Sequence, residues 1–280
     1  MSAWNGANVV VTGAASGIGL ALSIAMVKRG ADVWLTDVNA PGVEQAAEAL
    51  GPKARWAKLD VRDALAVRAV IERVARDRGR IDYLFNNAGI GIAGAAEDLA
   101  VQHYDRIIDI NIRGVVNGIA AAYPIMVAQR SGHIVNTASA AGLVPVPLLA
   151  PYAMTKHAVV GLSTSLRLEA APHGVHVSAL CPSATETPII DCDNPSDLPR
   201  VAWRPNVRRY LTKLGGEPYP PTKLADEALR GVERNLPLII VPARARFTAA
   251  LSRLAPGLTR LVVAAAAAAE LRDRPPRGSR

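Results

Sequence analysis

Cysteine, aromatic residues and long apolar runs are all scarce in this chain of 280 residues. The two cysteines, Cys181 and Cys192, make neither a disulfide framework nor a zinc site. With no secretory leader ahead of the first strand-like segment, the expected compartment is a reducing cytoplasm. The five histidines show no metal-ligand spacing, so no metal is expected. Aromatics are 4% of the chain, which leaves Val, Leu, Ile and Ala to build the core. The longest apolar run, Leu261 to Ala269, falls far below the ~20 residues that cross a bilayer, so no transmembrane segment is expected. No Gly-x-Ser-x-Gly elbow supports a hydrolase. The basic residues lack interleaved aromatics and follow no recognition motif, which argues against a nucleic-acid partner.

Half of the residues are hydrophobic, arranged as strand-like runs alternating with helix-like ones. That alternation predicts an α/β fold, a parallel sheet covered on both faces. The first run, Asn8-Val9-Val10-Val11-Thr12, leads into Gly13-Ala14-Ala15-Ser16-Gly17-Ile18-Gly19 and then Leu20 to Val27, of helical composition. Strand, glycine-rich turn and helix in that order make a dinucleotide site credible. Glycine lets the backbone approach a pyrophosphate, and helix N-terminal N–H groups then face the anion. A second strand, Asp32 to Thr36, ends at Asp37. A carboxylate about 20 positions beyond the turn is placed for the adenosine ribose hydroxyls, and its charge repels a 2′-phosphate. No cation at Ala15, Ser16 or Val38 offsets that repulsion, so the expected cofactor is NAD.

Tyr152 and Lys156, in Tyr-Ala-Met-Thr-Lys, stand four apart, and on a helix they share one face. An ammonium beside a phenol is expected to lower the phenol pKa from about 10, giving a proton donor and acceptor usable near neutral pH. Ser139 lies thirteen residues earlier, at the end of an apolar strand-like run.

Over about residues 5 to 245 the chain resembles the short-chain dehydrogenase/reductase family. The matching segments are Thr12 to Gly19, Asp60-Val61, Asn86-Asn87-Ala88-Gly89, Asn111, Ser139, Tyr152 to Lys156, and Pro182 to Thr187. The resemblance implies a Rossmann-type doubly wound parallel sheet and an oxidoreductase. It implies that Gly13, Ser16, Gly17, Ile18 and Gly19 hold the pyrophosphate, and that Asp60 and Val61 meet the adenine. Asn87, Ala88 and Gly89 would line the adenosine ribose, and Pro182 and Thr187 the nicotinamide. Asn111 would sit at a helix distortion, holding a water in a proton relay to Lys156. Ser139 would bind the substrate oxygen, Tyr152 would exchange a proton with it, and Lys156 would also bind the nicotinamide ribose. One departure from the family is Pro182-Ser183 where Pro-Gly is usual, which puts the local loop geometry in question.

The expected organisation is one dinucleotide-binding and catalytic domain, 1–250, with a helical, basic extension, 251–280. Ser139 is followed by the apolar stretch Ala140 to Leu148, and Thr187 by a polar, proline-rich segment that reads as a lid over about 188–221. Ser139, Leu143, Val144, Leu148 and Trp203 are the candidate substrate residues. Together with the resemblance they suggest a lipophilic secondary alcohol or ketone. A nucleotide sensor or scaffold on the same fold is the alternative. From Arg244 onward eight arginines face only Glu270 and Asp273, so +6 of the net charge of +8 lies in the last 37 residues. A short helix near Thr248 to Leu254, a second from Leu258 to Leu271 and a disordered end, Arg272 to Arg280, are expected there. The tail reads either as a terminal helix packed on the domain or a partner subunit, or as a peripheral membrane contact or pocket cap. Apolar residues in 104–125 and 158–168 permit a homodimer or homotetramer.

Overall fold

A strand buried on both faces sends alternate side chains into opposite layers, and Val9, Val10 and Val11 do so. Val9 and Val11 enter one apolar cluster and Val10 the other. The computed structural model describes residues 3–275. It contains a seven-stranded parallel sheet made of β1 (Asn8–Thr12), β2 (Asp32–Asp37), β3 (Ala54–Lys58), β4 (Tyr83–Asn86), β5 (Gly132–Thr137), β6 (Val175–Pro182) and β7 (Leu238–Val241). The spatial order is β3-β2-β1-β4-β5-β6-β7. The order reverses at β1, so a crevice opens beyond the carboxyl ends of β1 and β4, where open α/β sheets bind ligands.

Ten helices are described: α1 (Gly17–Lys28), α2 (Ala40–Leu50), α3 (Ala64–Arg78), α4 (Val101–Ile108), α5 (Gly114–Gln129), α6 (Ala150–Ala170), α7 (Val207–Gly215), α8 (Pro221–Glu233), α9 (Ala243–Leu254) and α10 (Pro256–Leu271). α1 and α8 cover one face of the sheet, over Val9, Val11, Leu35, Phe85 and Leu180. α3, α5 and the end of α6 cover the other, over Val10, Trp34, Leu84, Ile134 and Val177. Local signals fix the starts of two helices: Asn39 accepts a hydrogen bond from Gly42 N, and Asp63 from Leu65 N and Ala66 N. Such caps contribute about 1 kcal/mol each.

α4 and α5 form one helical run, Val101–Gln129, of 29 residues, in which an 18-residue stretch has a mean hydropathy of 1.3, long and apolar enough to cross a membrane. Here the run packs on α3 and the sheet, burying Val115, Gly118, Ala121, Ala122 and Met126. The expected lid is not a plain loop, since 188–221 contains a 3₁₀ turn (Pro188–Ile190) and α7. Asn206 opens α7 by accepting from Arg209 N. The short helix expected near Thr248 to Leu254 is longer at its start. α9 starts at Ala243, so position 251 falls inside a helix.

α10 packs on α7 and α9. Its Glu270 is fully buried and accepts from Asn206 N (2.8 Å), Arg209 Nη2 (2.8 Å) and Arg209 Nε (3.1 Å). Arg274, expected in a disordered end, instead donates to Glu97 (2.5 Å) and Asp98 (2.7 Å). The rest of that expected end, residues 276–280, lies outside the described residues.

Candidate active site

The turn between β1 and α1 has the shape its glycines demand. Gly13 and Gly17 adopt φ of 67° and 55°, in the left-handed region that glycine tolerates best. A Cβ on Gly19 would stand 2.1 Å from the Gly13 carbonyl oxygen and 2.6 Å from Asn87 Nδ2, so only glycine lets the helix seat against the turn. Ser16 precedes α1 without a side-chain cap, which leaves the first-turn N–H groups of Gly17, Ile18 and Gly19 facing outward as an anion site. Thr187 closes the other side: its Cγ2 would lie 3.2 Å from a Cβ on Gly17.

Behind the turn, Thr12 locks β1 to β4. Its Oγ1 accepts from Asn87 N (2.9 Å) and Ala88 N (3.0 Å), while Asn87 Nδ2 donates to the carbonyls of Thr12 (3.1 Å) and Gly13 (3.2 Å). Asp37, at the end of β2, accepts from Ala15 N (3.0 Å) and Asn39 N (2.9 Å), one bond per carboxylate oxygen. Its charge therefore sits against the turn, and Val38 beside it is exposed. Asp60 and Val61, expected to meet the adenine, follow the end of β3. The Asp60 carboxylate is engaged by Arg62 Nε (3.0 Å) and Nη2 (2.6 Å), and the Arg62 hydrogen bond holds it below the usual carboxylate range. Val61 packs against Gly114, where a Cβ would meet Val61 Cγ2 at 2.6 Å.

The helix distortion expected at Asn111 is a five-residue π turn, Asp109–Arg113, between α4 and α5. It aims the fully buried Asn111 at the β4 loop. Asn111 Oδ1 accepts from Ile90 N (2.9 Å), and Nδ2 donates to Ile90 O (3.0 Å) and Thr155 Oγ1 (3.1 Å). Lys156 Nζ donates to Thr137 O at 2.8 Å. Asn111 Oδ1 and Lys156 Nζ converge on Gly89, lying 3.1 and 3.5 Å from a Cβ built there.

Tyr152 and Lys156 share a face of α6, with Nζ 5.5 Å from the phenol ring centroid. The titration differs from the expectation. Burial pushes the Tyr152 hydroxyl up, and the hydrogen bond from Ser139 only partly opposes it. The ammonium lies over the ring while it donates to the Thr137 carbonyl. Burial also pulls Lys156 down to about 8. Its neighbour Cys181 is pushed up to about 12 by burial, an inert thiol. Ser139 Oγ accepts from Ala141 N (3.1 Å) and donates to Pro182 O (3.4 Å), which ties the serine to the end of β6. Ser183 has no left-handed φ, so serine fits the backbone where the family usually has glycine. Its Oγ is buried without a partner among the described residues.

Around the phenol the lining is apolar. Tyr152 packs in one cluster with Val144, Val146, Leu149, Tyr210 and Leu214, and with Ala266 and Ala267 of α10. The other substrate candidates scatter. Leu143 turns to a second cluster with Val115 and Cys181. Leu148 is buried at a φ of 65°, and Trp203 is half-buried outside the Tyr152 cluster. The sequence reading gives Thr12 and Thr155 no role of their own. Only Thr12, next to the glycine turn, carried a signal there.

The chain is similar to known proteins. The short chain dehydrogenase model matches residues 7–196. Oxidoreductase UcpA of Escherichia coli K12 is 38% identical over 205 residues, 70% of this chain and 78% of that protein. Probable oxidoreductase EphD of Mycobacterium tuberculosis H37Rv is 34% identical over 257 residues, 89% of this chain and 43% of that longer protein. A Burkholderia phymatum short chain dehydrogenase/reductase crystallised with NAD superposes with a TM-score of 0.83 at 28% identity, covering 92% of this chain and 96% of that one. The glycine turn, the reversal of strand order at β1 and the convergence of Ser139, Tyr152 and Lys156 thus have one common explanation: the chain is an oxidoreductase of the short-chain dehydrogenase/reductase family.

Proposed function

We propose that the chain exchanges a hydride between NAD(H) and a lipophilic secondary alcohol or ketone, with Tyr152 as the proton-exchanging group. The observation that carries this reading is the apolar cluster in which Tyr152 packs against Val144, Tyr210, Leu214 and the α10 alanines, beside a cradle that suits a dinucleotide. The fit of that cradle rests on Gly19, whose missing Cβ keeps the turn against α1, and on the uncapped first turn of α1. Gly13, Gly17 and Gly19 would hold the pyrophosphate, Asp37 the ribose hydroxyls, and Lys156 and Thr187 the nicotinamide end. When bound, the nicotinamide supplies or accepts the hydride.

The protein's own task is the substrate oxygen. Ser139 and Tyr152 aim two hydroxyls at one place, where they stabilise charge developing on a carbonyl oxygen. Burial keeps the Tyr152 phenol protonated at neutral pH, the form needed to donate a proton to that oxygen. In the reverse direction the phenolate accepts the alcohol proton, and Lys156 and Asn111 lie one layer behind it. Asp37 supports a preference for NAD over NADP, because its carboxylate sits against the turn, where its charge would repel a 2′-phosphate. A homo-oligomer built through α5 and α6 is supported by Val116 and Leu168, exposed on these helices.

Steady-state kinetics test both parts. The expected result is a kcat/KM at least about tenfold higher with NADH than with NADPH, with lipophilic ketones turned over and small polyols not. Equal rates with both dinucleotides, or turnover of polyols alone, would overturn the reading.

A further inference from the structure

α10 has two faces with different fates. Thr259, Val263, Ala267 and Glu270 are buried, whereas Leu258, Leu261 and Val262, on the opposite side, are 51, 70 and 55% exposed. α9 meets α10 at a bend of 116° and continues this outward display with Phe247 (73% exposed) and Leu254 (83%). Residues three and four apart share a helix face, so 247, 250 and 254 form one stripe and 258, 261, 262 and 265 another.

A terminal helix that only packs on its own domain presents charges outward. These two helices present leucine, valine and phenylalanine. Between Ala243 and Ala269 there is no acidic residue, and the four charges are Arg244, Arg246, Arg253 and Arg260. Arg244 donates to Glu217 O and Arg246 to Ile240 O (3.2 Å). Arg253 and Arg260 have no acidic partner among the described residues. The two acids that follow are occupied, Glu270 by Arg209 and Asn206, and Asp273 by Arg209.

We propose that the outer face of α9 and α10, with the exposed Phe247, Leu254, Leu258, Leu261 and Val262 accompanied by Arg253 and Arg260, docks on an anionic phospholipid bilayer. The charge pattern selects this occupant. A second copy of the chain would bring the same unpaired arginines to the contact, whereas anionic headgroups neutralise them while the apolar side chains enter the acyl boundary. The helices lie on the surface and do not span. Their 12 and 16 residues are about 18 and 24 Å long against a hydrocarbon core of about 30 Å, and the inner face of α10 is already held by α7. This inference is independent of the substrate assignment, since none of these residues touches Tyr152 or the glycine turn.

The test is co-sedimentation of the full chain with vesicles of phosphatidylcholine alone and of phosphatidylcholine mixed with phosphatidylglycerol, at low and high salt. Two double variants accompany it: Leu258→Gln with Leu261→Gln, and Arg253→Gln with Arg260→Gln. The chain is expected to bind the mixed vesicles only. High salt and each double variant should weaken that binding by about tenfold or more, while circular dichroism and NADH binding stay unchanged. Absence from the mixed vesicles would overturn the proposal, as would binding of equal strength to both vesicle types. A vesicle-indifferent chain whose oligomer, sized by light scattering, falls apart in the leucine variant would instead make this face a subunit interface.

Discussion

Glu270→Ala should unlatch the C-terminal helix without unfolding the sheet. Glu270 is wholly enclosed, and its two oxygens satisfy the Asn206 N–H and two nitrogens of Arg209. Truncation strands the Asn206 N–H at the start of α7, a loss of about 1–3 kcal/mol. Arg209 is 44% exposed and partly recovers water, so breaking its ion pair adds only about 1 kcal/mol. The total, about 2–4 kcal/mol, falls on one peripheral contact. α10 packs mainly against α7 and α9, so the loss appears as local opening and not as global unfolding. Amide hydrogen exchange across 256–271 should therefore speed up by about 30- to 700-fold, with the amides of β1, β4 and β5 unchanged. Glu270→Gln keeps the bond from Asn206 and should fall between the two. Because Ala266 and Ala267 share a cluster with Tyr152, KM for a lipophilic substrate should rise in the alanine variant while NADH affinity holds. Unaltered exchange in α10 would refute the reasoning.

The glycine cradle and the titrating groups give further outcomes. Gly19→Ala drives a Cβ into the Gly13 carbonyl oxygen and should cost about 1–3 kcal/mol of stability, with NADH affinity by calorimetry falling at least about tenfold. Unchanged affinity would refute the role of the turn. Lys156 has a folded pKa lowered to about 8 from 10.5, so between those values the unfolded chain binds more protons and stability must rise with pH. Denaturant titrations of the cofactor-free protein should show this rise, about 3 kcal/mol at most, in wild type and not in Lys156→Met. A pH-independent difference between the two would contradict it. Burial raises the Tyr152 phenol, so alcohol oxidation, which needs the phenolate, should climb with pH above neutrality while ketone reduction does not. Parallel profiles would argue against Tyr152 as the exchanging group.

The fold was legible wherever side-chain type alone decided the outcome. β1 was read at Asn8–Thr12, because its β-branched run is buried on both faces. β3 was missed for the opposite reason: Ala-Arg-Trp-Ala-Lys at the sheet edge carries two cations and leaves Trp56 partly exposed. The glycine turn and the π distortion at Asn111 were legible as motifs, since each reflects a backbone constraint that few residue types satisfy. What pattern did not carry was electrostatic environment. A lysine four residues from a tyrosine says nothing about how deeply both are buried, and here desolvation outweighs the expected acidification of the phenol. The Arg62 clasp on Asp60 and the closure of α10 over the Tyr152 cluster depend on contacts between segments far apart in sequence. Substrate residues were the least legible, because Leu143 and Val144, adjacent in sequence, turn to different clusters.

The most direct measurement pairs NADH binding with turnover in Tyr152→Phe. Removing one hydroxyl leaves the glycine cradle, Asp37 and Lys156 intact, so NADH should bind within a few-fold of wild type while kcat falls by at least about a hundredfold, the scale of general acid–base catalysis. A variant that keeps most of its turnover, with NADH bound as before, would contradict the assignment of Tyr152 and with it the proposed function.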